Sequence, residues 1–326
     1  MSHTIAPDMP SRTQLARSKA IQQRTGRTFH LATRLLPRRI RHATYVLYAF
    51  FRIADDVVDT TEAIDSDEQR AELEQIRAQA LGEVPAEDPV LEAFHELAEQ
   101  YDIADEEIDR FIDAMIADID HEPYRDYDGV ESYMRGSAVA VANMMLAIME
   151  VQDVEAARPH AGALAEAFQL TNFLRDVDED IHQYQRIYLP GDTRELFGVS
   201  VDQLLAGEVD EGFRRMMQIE LARTEELYHE GVAGIQYLPE DCQFGVLVSA
   251  ILYADHHRVI EDQGYDVLTT RPDIPTWRKL YLLAKTRLYW TVQKDPEVVF
   301  RRVSAIDPPQ DNKVTHILGG TETSPR

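Results

Sequence analysis

Cysteine is almost absent from this sequence. Cys242 is the single cysteine among 326 residues, which excludes an intramolecular disulfide and any multi-cysteine metal site and fits a reducing compartment. Long apolar runs are missing as well, since stretches such as 246–254 fall far short of the ~20 residues that span a membrane. Residues 1–10 lack the apolar core of a signal peptide. We therefore expect a cytoplasmic protein, and we leave peripheral contact with a membrane open.

Positive charge is scarce. The chain has 33 basic and 58 acidic residues, for a net charge of −25, and only 5 of the bases are lysines. A protein this acidic is not expected to bind the phosphates of a nucleic acid. An acid surplus with little lysine is typical of salt-accumulating organisms, where carboxylates keep the surface hydrated and salt screens their repulsion. We therefore expect a halophilic protein.

Acid is itself missing from one stretch. Residues 9–54 contain ten bases and no Asp or Glu, so they carry +10 while residues 55–326 carry −34. A concentrated positive segment in an acidic protein suggests an anion-binding site. The alternative is a basic helix that forms salt bridges with the acidic remainder.

Strand-like alternation is absent over any useful length, and the periodicity is helical. Apolar residues recur every three or four positions in nine segments: 40–60, 68–82, 89–101, 104–118, 128–150, 156–184, 211–236, 240–262 and 276–293. We predict an all-α protein of eight to ten helices in a single domain over residues 12–303. Residues 1–11 and the polar stretch 304–326 are predicted to be disordered.

The first of two carboxylate clusters follows an apolar, aromatic helix. Asp55 and Asp59 are separated by one helical turn and share a face, whereas Asp56 points about 100° away. Arg52 lies one turn before Asp55 on nearly the same face.

The second cluster repeats this arrangement later in the chain. Asn172, Asp176 and Asp180 form a stripe at intervals of four residues, with Gln169 close to the stripe and Arg175 beside it. An Asp pair at this spacing also arises by chance in an acid-rich chain, and most such pairs are solvated faces.

The two clusters differ from solvated faces because apolar residues and an arginine surround each of them. Like charges one turn apart repel each other, and carboxylates in an apolar wall need a cation. Oxygen ligands without His or Cys suit Mg²⁺, which usually completes its shell with water and phosphate. The sequence therefore predicts a site for a magnesium-bound pyrophosphate between two helices.

The residues of these clusters lie in two longer motifs. Residues 28–37 and 48–59 resemble the first signature of the squalene/phytoene synthase family, and residues 168–180 with 186–190 resemble the second. The resemblance covers about residues 12–303 and is greatest to the phytoene synthases, on a background similar to haloarchaeal proteins. It implies a helical bundle of the isoprenoid (class I terpenoid) synthase type with a central cavity.

The resemblance also implies a reaction, the Mg²⁺-dependent head-to-head joining of two geranylgeranyl diphosphates to phytoene. Mn²⁺ is the alternative ion, and no NADPH is expected for this product. The implied metal ligands are Asp55, Asp59, Asp176 and Asp180, supported by Asn172. The implied substrate-binding residues are Arg52, Arg175, Arg271, Asn172, Gln169, Thr28 and Tyr133. Tyr48, Tyr188 and Tyr253 are implied to line the reacting centre.

Three alternatives stay open on the sequence. A member of the same family could instead make squalene or dehydrosqualene from farnesyl diphosphate. Asp55, Asp56 and Asp59 also fit the aspartate-rich motif of chain-elongating prenyltransferases and terpene cyclases, although the second cluster does not repeat it. The third alternative is a non-catalytic acidic helical scaffold.

Five further residues are interpreted as structural. His256 and His257 are adjacent, so they cannot form a metal pair on one helix face and are expected at the surface or at a cap. Cys242 has no evident partner and is expected in the core. Trp277 and Trp290 are expected to serve packing.

Overall fold

The computed structural model describes residues 33–59 and 65–308, and within these ranges it contains helices and no strand. The helices of the first half are α1 (Arg38–Val58), α2 (Ser66–Ala80), α3 (Pro89–Tyr101), α4 (Asp105–Ala117), α5 (Tyr127–Met134), α6 (Ala140–Ile148) and α7 (Val154–Arg175). Those of the second half are α8 (Val177–Tyr184), α9 (Gly191–Leu196), α10 (Val201–Leu205), α11 (Glu211–Ala233), α12 (Glu240–Asp262), α13 (Thr276–Gln293) and α14 (Pro296–Val303).

The helices are therefore more numerous than the eight to ten predicted from periodicity, although the all-α prediction is confirmed. The predicted segment 128–150 is interrupted by a π-helical turn at Arg135–Val139, and the segment 156–184 is interrupted at Asp176. Helices α9 and α10 have six and five residues, which is too short for a 3.6-residue period to be visible.

Part of the acid surplus caps helices. Six helices begin after an aspartate whose carboxylate accepts a hydrogen bond from a backbone N–H of the first turn, and these are Asp65, Asp88, Asp126, Asp153, Asp210 and Asp295. Each such cap stabilises its helix by about 1 kcal/mol, and the negative charge also suits the helix dipole. These aspartates thus have a local structural use besides solubility.

The centre of the bundle is the contact between the long helices α7 and α11. Gly231 of α11 lies so close to α7 that a β-carbon there would stand 2.6 Å from the backbone nitrogen of Leu164. Because the obstacle is backbone, it cannot move aside like a flexible side chain. The glycine is therefore required for the two helices to pack at this distance.

Helix α1 is held by aromatic packing behind its carboxylates. The Phe50 ring stacks on Phe94 of α3 with 3.8 Å between ring centroids, and Phe111 of α4 packs against Phe51 with 4.6 Å between centroids. Phe50 and Phe94 are completely buried. This packing fixes the end of α1 where the first cluster lies.

Two of the expectations for individual residues are wrong. His256 and His257 are buried in α12, where the His257 ring nitrogen Nε2 lies 3.1 Å from the Thr171 hydroxyl. Trp277 is 68% exposed on α13 instead of being packed. Cys242 and Trp290 are buried, as expected. The periodicity of a helix shows which residues share a face but not which neighbour covers that face.

Some predictions concern residues outside the described ranges. The segment 1–11, Thr28 and most of the segment 304–326 lie there; in the described part of the latter, Ile306 is buried against the core. Within the described ranges, no helix is both long and apolar enough to cross a membrane.

Candidate active site

A cavity of about 570 Å³ lies between α1, α4, α6, α7 and α12. Twelve of the fourteen residues singled out from the sequence line it, and they are Tyr48, Arg52, Asp55, Asp59, Tyr133, Gln169, Asn172, Arg175, Asp176, Asp180, Tyr188 and Tyr253. Arg271 does not line the cavity but pairs with Asp176, and Thr28 is outside the described residues. Residues more than 200 positions apart in the chain thus share one chamber.

The first aspartate pair lies at the carboxyl end of α1. Asp55 is on the last turn, and Asp59 follows the helix, with its backbone N–H donating to the Asp55 carbonyl oxygen over 2.8 Å. Arg52 reaches three carboxylates, at 3.7 Å from Asp55, 2.8 Å from Asp56 and 3.5 Å from Asp59. The arginine therefore partly neutralises the whole cluster from its own helix.

A second arginine reaches this pair from a distant segment of the chain. Arg186, in the segment after α8, donates from Nη1 to Asp59 Oδ1 over 3.0 Å and from Nη2 to the Val58 carbonyl oxygen over 2.8 Å. Its side chain is only 8% exposed. The contact joins the first cluster to the segment that follows the second. Arg186 lies within the second motif, and no role for it was predicted from the sequence.

The second aspartate pair lies where α7 meets α8. The helix is interrupted at Asp176, yet the backbone bonds from Asp176 N–H to Asn172 and from Asp180 N–H to Asp176 are both kept at 2.9 Å. The predicted stripe of Asn172, Asp176 and Asp180 therefore persists through the break, and all three residues line the cavity.

Two arginines hold Asp176, its neighbour in the chain Arg175 and the distant Arg271. Arg175 donates from Nε to Asp176 Oδ1 over 2.8 Å, and its Nη2 also contacts Oδ2. Arg271 donates to Asp176 Oδ1 at 2.9 Å and to Glu179 at 2.7 Å. By contrast, no described side chain forms an ion pair or a hydrogen bond with the Asp180 carboxylate.

The least compensated carboxylates have the most perturbed pKa values. Burial, aided by the neighbouring charge of Asp59 and opposed by Arg52, raises the pKa of Asp55 to about 7. Burial, aided by Asp176 and Glu179 and opposed by Arg186, raises the pKa of Asp180 to about 8. A cation beside either group would favour its charged form.

The donor set fits Mg²⁺. Each pair offers carboxylate oxygens, with the amide of Asn172 beside the second pair. Within the described residues no three His, Cys, Asp or Glu side chains come together as a ready metal cluster. Mg²⁺ is commonly held by one or two carboxylates and completed by water and substrate phosphates, so two separate pairs suit it better than an all-protein cage.

An aromatic wall with a buried carboxylate lines the cavity together with the two pairs. The Tyr133 hydroxyl donates to Asp118 Oδ2 over 2.6 Å, and the Tyr188 hydroxyl donates to Asp118 Oδ1 over 3.0 Å. The Tyr188 ring stacks on Phe173 with 4.1 Å between centroids. Burial, together with nearby charge, raises the pKa of both tyrosines far above the usual value, so they remain protonated donors.

Sequence reasoning missed Asp118. It lies among several acids near the end of α4, where nothing local distinguishes it from a solvated face. The available signal was its position one turn after the apolar side chains of Ala114 and Met115, which places it on the buried side of α4.

The other end of the cavity is apolar. Met145, Leu146 and Met149 of the α6 region line it, with Leu164 of α7 and Ile235 after α11. The chamber therefore combines a charged end with a hydrocarbon-lined end, which suits an amphiphile with an anionic head and a long apolar tail.

The sequence model that describes squalene/phytoene synthases matches residues 22–278, a span that includes both aspartate pairs. The chain belongs to the squalene/phytoene synthase family. Membership confirms the resemblance noted from the motifs and makes the protein an enzyme of the prenyl-transferring type. It argues against the scaffold alternative and against a chain-elongating prenyltransferase.

Relatives agree over most of the chain. The 15-cis-phytoene synthase of Synechococcus elongatus is 30% identical over 305 residues, covering 88% of this chain and 99% of the relative. The phytoene synthase of Cereibacter sphaeroides is 34% identical over 273 residues, covering 80% of this chain and 76% of the relative.

Solved structures confirm the predicted synthase fold. A dehydrosqualene synthase in complex with a ligand superposes with a TM-score of 0.75 at 27% identity, covering 86% of this chain and 97% of that one. A squalene synthase from Alicyclobacillus acidocaldarius superposes with a TM-score of 0.70 at 25% identity, covering 78% and 95%.

Proposed function

We propose that the protein is a phytoene synthase that joins two geranylgeranyl diphosphates head to head through a cyclopropyl diphosphate. The observation that carries the proposal is the single cavity with two arginine-flanked aspartate pairs at one end and an apolar lining at the other. Relatives that bear the name phytoene synthase, at 28–34% identity over most of the chain, support the choice of product.

The charged end would bind the diphosphate groups. Asp55, Asp59, Asp176 and Asp180, with Asn172, would hold Mg²⁺, or Mn²⁺ in its place. When bound, the ion would supply the positive charge that stabilises a departing diphosphate. Arg52, Arg175 and Arg271 would contact phosphate oxygens, for which the planar guanidinium is suited.

The binding of a diphosphate would redistribute the arginines. Each arginine at this end is now paired with aspartate, and a phosphate oxygen offers a competing acceptor of higher charge. Gln169 lines the same end and could donate a further hydrogen bond. In this way the arginines would neutralise the carboxylates before substrate binds and would stabilise the leaving diphosphate afterwards.

The aromatic wall would protect the cation that forms when the first diphosphate leaves. Tyr48, Tyr188 and Tyr253 line the cavity near the charged end, and the Tyr253 ring packs on Phe168 with 4.7 Å between centroids. Aromatic faces stabilise a carbocation and keep water from it. The cation would then attack the double bond of the second chain, and loss of a proton would close the cyclopropane.

The second half of the reaction would use the same chamber. The cyclopropyl diphosphate would ionise in turn, and rearrangement with loss of a second proton gives the triene core of phytoene. No reductant enters this sequence, which is why no NADPH is expected.

The proposal is tested by product analysis. We expect the full chain, given geranylgeranyl diphosphate and Mg²⁺, to release diphosphate and form a C40 hydrocarbon without NADPH, and to lose this activity with a chelator. Farnesyl diphosphate serves as the parallel substrate. A C30 product from farnesyl diphosphate, with no C40 product, would overturn the phytoene assignment.

The superposition on a dehydrosqualene synthase favours that enzyme as the second candidate. A dehydrosqualene synthase would use the same residues on the shorter substrate farnesyl diphosphate. Comparing products with and without NADPH separates squalene from dehydrosqualene.

The acid surplus and the scarcity of lysine support the further proposal that the protein works in the cytoplasm of a salt-accumulating cell. We expect activity and folded structure to persist at molar salt and to weaken as salt is removed, because unscreened carboxylates repel one another. Circular dichroism across a salt series checks this expectation.

A further inference from the structure

Helix α13 has a charge opposite to that of the protein. Between Asp273 and Asp295 there are 21 residues without a single acid, and they include five bases. Three of the five lysines in the chain lie in this stretch: Lys279, Lys285 and Lys294. In a protein of net charge −25, such a segment needs an explanation.

The same helix exposes a row of large apolar side chains. Trp277 is 68% exposed, Leu288 67% and Val292 75%, and Leu280 and Tyr281 are also exposed. Since each helical residue advances by about 100°, four of these residues fall on one face of α13, with Leu280 at its edge. The buried residues of the helix lie on the opposite face, and they are Leu282, Thr286 and Trp290.

Positive charges border this face on both sides. By the helical angle, Lys285 lies about 50° to one side of its centre and Arg287 about 110° to the other, where the Arg287 guanidinium stands 5.1 Å from the centroid of the Phe244 ring. Arg278 and Lys279 are near acids, at 2.7 Å from Asp255 and 3.8 Å from Asp273. Among the described residues, Lys285, Arg287 and Lys294 have no carboxylate within ion-pair distance.

The position of α13 places this face one helix away from the cavity. α12 lines the cavity through Val246 and Tyr253, and α13 packs against α12 on another side, where Trp290 meets Phe244 with 6.2 Å between centroids. The apolar face of α13 points away from this contact.

We propose that the exposed face of α13 docks on the surface of a bilayer that contains anionic lipid. An apolar row rimmed by basic residues is the pattern of helices that lie in the membrane interface, with aromatic and aliphatic side chains between the lipid head groups. Charge complementarity favours this occupant over a second copy of the chain, because two copies of the face would bring like charges together. The argument rests on α13 alone and does not depend on the proposed reaction.

The test uses a tryptophan of the face as the reporter. The chain has two tryptophans, so Trp290→Phe leaves Trp277 as the single tryptophan, whose emission is excited selectively at 295 nm. With vesicles of phosphatidylcholine containing 30% phosphatidylglycerol, we expect the Trp277 emission to shift to shorter wavelength and to be quenched by brominated acyl chains. The reciprocal variant Trp277→Phe, which keeps only buried Trp290, should show neither change.

Sedimentation with the same vesicles tests the face itself. We expect Leu288→Gln with Val292→Gln to lower the vesicle-bound fraction about tenfold or more, and Lys285→Gln with Arg287→Gln to lower it on anionic vesicles. Leu196→Gln is the matched control, since Leu196 is 58% exposed on α9, which packs against α5 and α11.

Activity on detergent-dispersed substrate and the circular dichroism spectrum should be unchanged in all these variants, which separates docking from folding and from the proposed reaction. Equal binding of the unmodified chain and the Leu288→Gln, Val292→Gln variant would overturn the proposal. So would the absence of vesicle binding together with an oligomer that this variant dissociates, because the occupant would then be a second copy.

Discussion

The arginine that reaches the first aspartate pair from a distant part of the chain is buried, whereas the one that reaches the second pair in this way lies at the surface. Arg186, which clamps Asp59, is buried and also binds the backbone of α1, whereas Arg271, which clamps Asp176, is 57% exposed. A buried arginine that loses its partner lowers the free energy of unfolding strongly, because its charge stays in a poorly solvated site. An exposed arginine can exchange one partner for another with little change in free energy. We infer that the first pair is also part of the fold, and that the second has freedom to adjust around substrate.

The two pairs also have a feature in common. Each has one carboxylate that is closely bound by arginine, Asp59 or Asp176, and one that is not, Asp55 or Asp180. The pKa is raised to about 7 for Asp55 and to about 8 for Asp180. The less compensated member of each pair is the one that would gain most from an added cation.

The largest effect should come from removing one carboxylate from either pair. We expect Asp55→Asn and Asp176→Asn each to lower kcat/KM by about 10²–10³-fold, because charge stabilisation of the leaving group is lost. Asp56→Asn and Asp178→Asn are the matched controls, since both side chains are mostly exposed, and each should retain activity within about threefold. A large loss for one pair only would show that the pairs are not equivalent.

The next largest effect is on stability, and it distinguishes Arg186 at the first pair from Arg271 at the second. Arg186→Gln should lower the free energy of unfolding by about 3 kcal/mol, because it leaves Asp59 beside a neutral side chain in a largely buried site. Adding Asp59→Asn should recover part of the loss, as measured by guanidinium unfolding. If Arg186→Gln unfolds at the same denaturant concentration as the unmodified chain, the first pair is not part of the fold in the sense inferred here.

The exposed clamp should behave in the opposite way. Arg271→Gln should change the free energy of unfolding by less than about 0.5 kcal/mol, because its ion pairs are solvated. It should nevertheless raise KM for the prenyl diphosphate about tenfold if the guanidinium contacts phosphate. Arg271→Lys, which retains the charge and loses the planar fork, should fall in between. A loss of stability without a change in KM would contradict the contrast with Arg186.

The smallest effect is a pH dependence of stability, and it concerns α7, the helix that ends at the second pair. α7 carries the half-buried Glu166, for which α1 has no counterpart; burial and the charges of Glu131 and Glu230 raise its pKa to about 7. Since the folded protein favours the protonated form, this stabilisation is complete below the unfolded pKa and is lost as pH rises through about 7.

Glu166→Gln should therefore raise the Tm at pH 8 by about 2 °C and leave it unchanged at pH 5. Glu68→Gln, on the exposed first turn of α2, is the control and should show no such difference. Equal Tm changes at both pH values would indicate that Glu166 is not titrating in this range.

The sequence predicted the long helices well, because amphipathic periodicity persists over many turns. The predicted segment 89–101 coincides with Pro89–Tyr101, and 240–262 with Glu240–Asp262. The short helices α9 and α10 were not predicted, because five or six residues make fewer than two turns and show no period. The turn at Arg135–Val139 was not predicted, because residues 138–142 are all small and apolar, and a shift in the phase of the helix is not visible in such a run.

The part of the site that depends on spacing within one helix was predicted from the sequence. Both aspartate pairs were visible because each repeats on one helix face. Arg186 and Asp118 could not be assigned, since their roles depend on side chains 127 and 15–70 positions away. Burial was misjudged at His256 and Trp277 for the same reason, because it depends on which helix covers the face.

The close approach at Gly231 has a mechanical consequence. Since only a glycine fits against the α7 backbone at this point, sliding either helix along the other would bring a side chain into the contact, so we expect α11 and α7 to move together. α7 ends at the second aspartate pair, and α11 continues into the turn that closes the apolar end of the cavity. A displacement at the apolar end of the chamber should therefore reach the end of α7, where the second pair begins.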